Sequence, residues 1–385
     1  MDIPSFSADD LFEWLTSRKN FLLLDVRNDV EFGRFKVEGP FGFEMVNVPY
    51  MEFIEHEAES VTRVPGGKPV RIVCAKEGSA KFVAEILRRH GFPDVAYLRE
   101  GIKAWGNLLA PIRVDGVDDP YALYQVRRPG KASLSYGLVY NGEMMVFDPA
   151  KNIAAYRQIA EAQASRITRV FETHRQADYI SGSRFLHQSA GAEIMAPEPD
   201  FKGARFPYTP VRDGEVYPFK GGGPEVRAVH TPGHTPGSTS YLIDGRFFLS
   251  GDTVFIRSIG RPDLGGMAAE WSEQLFHTMT EKIVPLDDSI QVLPGHYMDW
   301  AEANEKLIFT ASCAEIKSMN SDIYNIKDPA AFYDFIRDNL RPQPEEYAKI
   351  REINAGLVEV DEQGQDILDL GKNECAASAR PPGRK

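Results

Sequence analysis

One cysteine of this chain stands where a thiol could act as a nucleophile. Cys74 directly follows the apolar run at 70–73, and the loop at 75–79 leads into a helical pattern. Backbone N–H groups converge at a helix N-terminus, where the helix dipole and the charge of Lys76 favour an anion, so we expect the thiolate to form more readily than in a free cysteine. Such a thiolate can accept a second sulfur atom. The alternative is a buried structural cysteine, which is common beside an apolar strand.

Four apolar runs in the second half of the chain each end close to a residue of a metal-binding type. These residues are His174, His234, Asp252 and His296. Because groups at the ends of adjacent strands converge on one crevice in α/β layers, we expect the four side chains to meet. A single histidine beside a glycine-rich turn is more often an ordinary hydrogen-bonded group, so the joint pattern is what indicates a metal site.

The elements that must position these residues fall into two groups. The first segment alternates short apolar runs with helical patterns, as a parallel α/β sheet requires. A turn-rich stretch then marks a boundary, and a hairpin pattern around Asn141-Gly142 opens a second series of strands and helices. The last residues are small, polar and proline-rich, with too little apolar content to pack. We therefore predict an α/β domain at 1–110, a linker at 111–120, a second domain at 121–365 and a flexible tail at 366–385.

Composition narrows the classes of function. The 385 residues favour two domains, and 44 Lys+Arg against 56 Asp+Glu give a net charge of −12 without a basic cluster. This balance argues against nucleic-acid and anionic-membrane partners. With neither a signal-peptide pattern nor an apolar span, we expect a cytoplasmic protein. The three cysteines, Cys74, Cys313 and Cys375, are too few and too scattered for a disulfide framework, and the roles of the last two stay open.

Three segments around Cys74 resemble the rhodanese family over roughly residues 5–110. They are Leu24-Asp25-Val26-Arg27, the six-residue loop from Cys74 to Ser79, and the run from Leu98 to Trp105. The resemblance implies a thiosulfate sulfurtransferase in which Cys74 carries sulfane sulfur as a persulfide. Many relatives have an arginine late in the loop, whereas this chain has Ser79 there and its positive charge at Lys76, which the resemblance makes a candidate catalytic residue.

The metal-type residues lie in motifs that resemble the metallo-β-lactamase superfamily across about 120–360. The motifs are Thr173-His174, 231–238, 250–253 and 293–296. The resemblance implies an αββα sandwich. Its usual H-x-H-x-D-H motif is altered, because Gln176 and Tyr179 replace the second and third histidines. We therefore do not expect a full two-metal site.

The surviving set of His174, His234 and Asp252 has the composition of the facial triad that binds Fe(II). Within the superfamily it resembles the persulfide dioxygenases, as does the G-R-x-D stretch that begins at Gly260. The resemblance implies one Fe(II) per chain, with zinc as the alternative. Arg261 either binds a substrate anion or braces its loop through Asp263. The residues expected to line the pocket or orient the ligands are Gln176, Asp178, Tyr179, His296 and Asp263.

Both resemblances imply small-molecule sulfur chemistry. The implied reaction oxidises a low-molecular-weight persulfide, such as glutathione persulfide, with dioxygen to give sulfite, coupled to sulfane-sulfur transfer involving thiosulfate or sulfite. The resemblance also implies a homodimer, although no sequence feature specifies an interface. Two alternatives remain open: a zinc-dependent thioester hydrolase of the glyoxalase II type, and a metal-free scaffold beside an active rhodanese domain.

Overall fold

The structure is a computed structural model that describes residues 3–116, 119–340 and 342–377. The chain divides into two compact units. The first runs to Ala110 and includes Arg128–Lys131 and Leu370–Lys372. The second contains Pro111–Arg127, Ala132–Asp369 and the segment from Asn373.

The first unit is built on a sheet of five parallel strands in the order β1-β5-β4-β2-β3. The strands are β1 (Ser5–Phe6), β2 (Leu22–Asp25), β3 (Glu44–Asn47), β4 (Val70–Val73) and β5 (Val95–Leu98). The helices are α1 (Ala8–Thr16), α2 (Asp29–Arg34), α3 (Tyr50–Glu55), α4 (Glu57–Thr62), α5 (Glu77–Arg89) and α6 (Ile102–Asn107).

Apolar side chains cover both faces of this sheet. Along β2, Leu22 and Leu24 point into one core cluster with Ile72, while Leu23 points into another with Trp105. Side chains alternate between the two faces of a strand, so a strand buried on both faces reads as a continuous apolar run. This sheet confirms the predicted small parallel α/β fold.

The second unit contains two sheets. One has seven strands in the order β12-β11-β10-β9-β8-β7-β6, and the other has five in the order β13-β14-β15-β16-β17. The first sheet consists of β6 (Ala110–Arg113), β7 (Ala122–Arg128), β8 (Ser133–Tyr140), β9 (Glu143–Phe147), β10 (Arg166–Phe171), β11 (Glu193–Pro197) and β12 (Thr209–Val211). The second consists of β13 (Val226–His230), β14 (Thr239–Ile243), β15 (Phe247–Gly251), β16 (Gln291–Pro294) and β17 (Ala311–Ser312).

The two sheets pack face to face through aromatic side chains. Phe147 and Phe171 of the first sheet each lie 5.2 Å, ring to ring, from Tyr241 of the second, whose hydroxyl donates to the Glu172 carbonyl at 2.9 Å. The helices of this unit are α7 (Ala154–Ala162), α8 (Ser183–Ala190), α9 (Glu198–Phe201), α10 (Ala268–His277), α11 (Cys313–Met319), α12 (Ser321–Tyr324), α13 (Pro329–Asn339), α14 (Glu346–Asn354) and α15 (Glu362–Leu368). Helices α7 and α8 contact the first sheet and α11 contacts the second, which confirms the predicted sandwich.

The predicted linker at 111–120 is part of the second unit's sheet. Its first residues lie in β6, the Val114 N–H donates to the Leu123 carbonyl, and the Leu123 N–H donates to Asp115. The sequence did not predict this strand, because β6 is short, lies at the edge of the sheet and is followed by turn-forming residues. Residues 117 and 118 lie outside the described residues.

The predicted flexible tail at 366–385 is wrong for residues 366–377. Helix α15 extends to Leu368, and Cys375 and Ala377 are 1% and 0% exposed. The Arg261 N–H donates to the Cys375 carbonyl and the Ala377 N–H to the Ile259 carbonyl, so backbone pairing holds a segment whose composition did not predict packing. Residues 378–385 lie outside the described part.

No helix among the described residues is long and apolar enough to cross a membrane.

Candidate functional site

The Cys74 thiol lies at the carboxyl end of the central part of the parallel sheet. Strand β4 ends at Val73, helix α5 begins at Glu77, and the backbone N–H groups of Ala75 and Lys76 hydrogen-bond the sulfur, as does the Ser79 side chain. The predicted convergence of N–H groups is therefore present. The Lys76 side chain is exposed, and the part of this residue that bonds the sulfur is its backbone.

The predicted ease of ionisation is wrong for this resting thiol. Burial raises the pKa of Cys74 above its usual value and outweighs the hydrogen bonds that favour the thiolate. Sequence alone could not show this, because the spacing that places a cysteine at a helix N-terminus says nothing about how deeply its side chain is covered.

A buried ion pair supports the same end of the sheet. The guanidinium of Arg27 donates to both carboxylate oxygens of Asp25, at 3.0 Å through Nε and 2.6 Å through Nη2, and to the Phe35 carbonyl at 2.6 Å. Asn47 donates to the carbonyls of Asp25 and Arg27. This network fixes the segment from Asp25 to Arg27, and its charges are paired with each other.

Gly101 lies against the Cys74 loop and leaves no room for a side chain. Its φ is 70°, and an added Cβ would lie 2.6 Å from the carbonyl oxygens of both Cys74 and Ala75. The next residue, Ile102, donates its N–H to the Cys74 carbonyl at 2.8 Å. The backbone after β5 therefore fixes the position of the loop that holds the thiol.

We expect Gly101→Ala to destabilise the protein by about 3 kcal/mol, because the left-handed backbone and the clash with two carbonyls add. Urea titration of the full chain measures the loss. Gly67→Ala is the matched control, since its φ is 84° but an added Cβ would meet nothing within 4 Å. Equal losses of unfolding free energy in both variants would show that the clash with the Cys74 loop does not contribute to the effect.

The second unit brings the four predicted metal-type residues together. His174 follows β10, His234 follows β13, Asp252 follows β15 and His296 follows β16, and all four side chains are buried. The expectation that strand ends converge on one crevice is met because the two sheets pack face to face.

Three of these residues direct polar atoms at one another without hydrogen-bonding. His174 Nε2 and His234 Nε2 lie 3.8 and 3.5 Å from Asp252 Oδ2. Among the described residues, none of these three atoms has a hydrogen-bond partner, and all lie within 4.8 Å of one another. Leaving such atoms buried and unpaired is costly, whereas two imidazoles and a carboxylate are a donor set that fits a metal ion.

The opposite ring nitrogens are held in place. His234 Nδ1 lies 2.8 Å from the Arg261 carbonyl, which can only accept, so Nδ1 carries the proton and Nε2 presents its lone pair. His174 Nδ1 lies 2.9 Å from the Thr173 hydroxyl, which itself donates to Asp148. Burial lowers the pKa of His234 to about 4, so its imidazole is neutral and suited to bind a cation. Asp148 was not among the predicted site residues.

His296 belongs to a neighbouring cluster rather than to this trio. Its Nδ1 lies 2.8 Å from Asp252 Oδ1 and its Nε2 lies 2.9 Å from Asp178 Oδ2. Burial opposes a charge on the ring, but the carboxylates of Asp252 and Asp178 outweigh it and raise the pKa of His296 to about 10. The third member is Cys375, which sequence reasoning missed because it lies in the supposed tail.

The two replaced histidine positions are turned away from the trio. The Tyr179 hydroxyl donates to the Asp148 carbonyl at 3.1 Å, and the Gln176 amide lies 3.5 Å from His174 Nδ1, on the far side of that ring. Both side chains are buried. Their role in lining the pocket stays a prediction, and their bonded polar groups are directed away from His174 Nε2.

Arg261 has the geometry of the loop-bracing alternative. Its Nε and Nη2 donate to the two Asp263 oxygens at 2.6 and 2.8 Å, and its Nη1 donates to the Glu374 carbonyl at 3.1 Å. The guanidinium is thus committed to the loop whose carbonyl orients His234. The preceding residue, Gly260, packs directly against the Asp252 backbone. A side chain would not fit there, since an added Cβ would lie 1.8 Å from the Asp252 carbonyl oxygen.

Comparisons with known proteins agree with this two-part organisation. Residues 7–108 match the family model of the rhodanese-like domain, and residues 128–308 match that of the metallo-beta-lactamase superfamily. A hydroxyacylglutathione hydrolase of Anaeromyxobacter dehalogenans is 31% identical over 182 residues, which are 47% of this chain and 67% of that protein. The persulfide dioxygenase ETHE1, mitochondrial, of Bos taurus is 28% identical over 191 residues, which are 47% of this chain and 70% of that protein.

A solved structure shares the fold of the second part of the chain. It is a metallo-β-lactamase from Staphylococcus aureus, with 27% sequence identity and a TM-score of 0.56. The match covers 63% of this chain and 75% of that one. Proteins with this fold bind metal, in agreement with the trio of unpaired ligand atoms.

Proposed function

Because the chain belongs to the metallo-β-lactamase superfamily and carries a rhodanese-like domain, we propose that it is a persulfide dioxygenase with a sulfurtransferase site on the same chain. In this proposal one Fe(II) is held by His174, His234 and Asp252, where a low-molecular-weight persulfide is oxidised to sulfite. Cys74 carries sulfane sulfur in the other unit.

The observation that carries the proposal is the trio of buried atoms without partners. Two imidazole nitrogens and one carboxylate oxygen make a facial set that would leave open positions on Fe(II) for substrate and dioxygen. The similarity to the bovine persulfide dioxygenase supports oxidation of a persulfide. The residues Gln176 and Tyr179 support a single metal in this trio, because they replace two ligands of the usual dinuclear site.

Iron, when bound, supplies the one-electron chemistry by which dioxygen reacts with a persulfide. One persulfide, one dioxygen and one water then give one thiol and one sulfite, with two protons released. The chain's own residues supply geometry: Thr173 and the Arg261 carbonyl hold the two imidazoles in the ligating tautomer. Phe255, whose ring lies 6.2 Å from that of His296, is one of the buried apolar residues that keep bulk water away.

The two activities fit one sequence of reactions. Sulfite attacks the outer sulfur of a Cys74 persulfide, the sulfur–sulfur bond to Cys74 breaks, and thiosulfate leaves with the Cys74 thiolate restored. Because the metal site and Cys74 are on one chain, sulfite formed at the first has a raised local concentration near the Cys74 persulfide, and no channel is needed.

A zinc-dependent thioester hydrolase is the second candidate, favoured by the hydroxyacylglutathione hydrolase relative. Such a two-zinc site uses histidines where this chain has Gln176 and Tyr179, and the Tyr179 hydroxyl is bonded to the Asp148 carbonyl instead. A metal-free scaffold fits less well, because it leaves three buried polar atoms unpaired at a cost of about 1–3 kcal/mol each.

Metal analysis of the full chain purified without oxygen tests the proposal. We expect about one iron per chain, because three protein ligands hold one ion at the trio. Oxygen uptake should require glutathione persulfide, and glutathione should not replace it. Zinc in the trio, together with hydrolysis of a glutathione thioester and no oxygen uptake, would establish the second candidate instead.

A further inference from the structure

We propose that a cavity beside the end of β10 binds a small organic cation through its primary ammonium group, with the Glu172 carboxylate as the anionic partner. The site is separate from the trio of His174, His234 and Asp252, because none of these three residues lines the cavity. It therefore goes beyond the proposed function and does not depend on which metal the trio holds.

The cavity lies within the second unit, between the end of β10 and the helices α8, α14 and α15, and its volume is about 110 Å³. That is room for several water molecules or for one small organic molecule. Most of its lining is covered, and the buried lining residues include Glu172, Ile180, Ser183, Ile353 and Asn354. Gln188 and Glu359 are exposed, so a ligand can enter from solvent between them.

One oxygen of the Glu172 carboxylate has partners and the other has none. Oε1 accepts from the hydroxyls of Ser181 and Ser183, which also line the cavity. Oε2 is buried and has no hydrogen-bond partner among the described residues. Glu172 is 1% exposed, and a buried carboxylate whose partners are all neutral is costly. This position therefore calls for a cation that donates to Oε2.

The polar groups around Glu172 are already committed to one another. The Ser181 N–H donates to Asn354 Oδ1 at 2.9 Å, and the Asn354 amide group donates to two backbone carbonyls at 2.9 and 2.8 Å. The Ser183 N–H donates to the Ser181 hydroxyl at 3.0 Å. Since these donors are in use, a donor for Oε2 has to come from the contents of the cavity.

The surroundings of Oε2 fit an ammonium group better than a bare metal ion. Hard metal cations take about six or more oxygen ligands, whereas Glu172 has one unused carboxylate oxygen. An ammonium group has three N–H donors and needs only three acceptors. Gln365, which also lines the cavity, can supply a second acceptor, because its amide nitrogen donates to the Val360 carbonyl at 2.8 Å and its amide oxygen takes part in no described hydrogen bond.

The rest of the lining favours a ligand that carries a short alkyl chain. Binding pockets commonly combine apolar walls with a few polar groups, and the apolar walls here are Ile180, Phe185, Phe206 and Ile353. Arg184 does not compete for Glu172, because its guanidinium pairs with Glu359 at 2.7 Å and lies 5.7 Å from the Phe206 ring. The charge of Glu172 is therefore left for the ammonium group of a ligand.

Calorimetric titration of the full chain with n-propylammonium chloride tests the site, with 1-propanol, sodium propionate and potassium chloride as comparison ligands. We expect about one amine bound per chain with a dissociation constant of about 1 mM or lower, and no detectable binding of the other three. Glu172→Gln keeps an acceptor for the two serine hydroxyls but removes the charge. It should weaken amine binding by at least about 10-fold, because a hydrogen bond to a charged group is lost.

Two matched variants separate this site from other features of the chain. Glu302→Gln changes another buried carboxylate whose Oε2 has no partner among the described residues, but Glu302 does not line the cavity, so amine binding should be unchanged. His234→Ala should also leave it unchanged, whereas a loss there would place the amine on the metal of the trio and overturn the proposal. No amine binding by the unmodified protein would overturn it as well, since water or a proton would then satisfy Glu172. Equal binding of potassium, or full amine binding by Glu172→Gln, would likewise contradict it.

Discussion

Replacing Cys74 with serine should lower thiosulfate:cyanide sulfurtransferase activity by at least about 1,000-fold, because the nucleophile itself is removed. In the first half-reaction the Cys74 thiolate attacks the outer sulfur of thiosulfate, a new sulfur–sulfur bond forms, and sulfite leaves. Cyanide then removes the sulfane sulfur as thiocyanate and restores the thiolate. A serine hydroxyl cannot hold a sulfane sulfur, and at this position it retains only the hydrogen bonds.

The same variant should keep most of the oxygen uptake with a supplied persulfide, because the three proposed iron ligands lie in the other unit. Mass spectrometry provides a second measurement, since only a protein with Cys74 should gain one sulfur atom on the peptide that contains it after exposure to thiosulfate. Cys313→Ala is the control, because it removes a buried thiol that belongs to the other unit. Retained transferase activity in Cys74→Ser would show that another residue carries the sulfur.

Much of both sites could be predicted because local sequence determines it. Cys74 follows a continuous apolar run and precedes a helical pattern, so its place between β4 and α5 could be inferred from periodicity alone. His174, His234 and Asp252 each follow a strand, and their convergence then depends only on how strand ends meet in layered folds. The alternation of Leu22, Leu23 and Leu24 between two core clusters has the same local origin.

What sequence did not show depends on contacts between distant residues. Cys375 bonds the Arg261 backbone across more than a hundred residues, and nothing in its small, polar surroundings marks it as buried. Asp148 supports His174 through Thr173 only because β9 and β10 are neighbours. The raised pKa of Cys74 reflects burial, which is a property of the packed unit.

Replacing any one of His174, His234 and Asp252 with alanine should weaken iron binding at the trio by at least about 100-fold, because a site with three protein ligands has no spare donor. The neighbouring Gln176 has its amide 3.5 Å from His174 Nδ1 and not beside the ligating nitrogen. Oxygen uptake with persulfide should disappear in all three variants, while transferase activity through Cys74 remains.

The comparison with His296→Ala makes this result specific. His296 bonds Asp252 and Asp178 but does not face the two unpaired Nε2 atoms, so its loss should leave iron at the trio. His187→Ala controls for removing a histidine, since that ring bonds only the nearby Ala192 carbonyl among the contacts described. If His296→Ala lost iron as fully as His234→Ala, iron would have to be placed between Asp252 and Asp178, and the facial arrangement that favours iron over zinc would no longer hold.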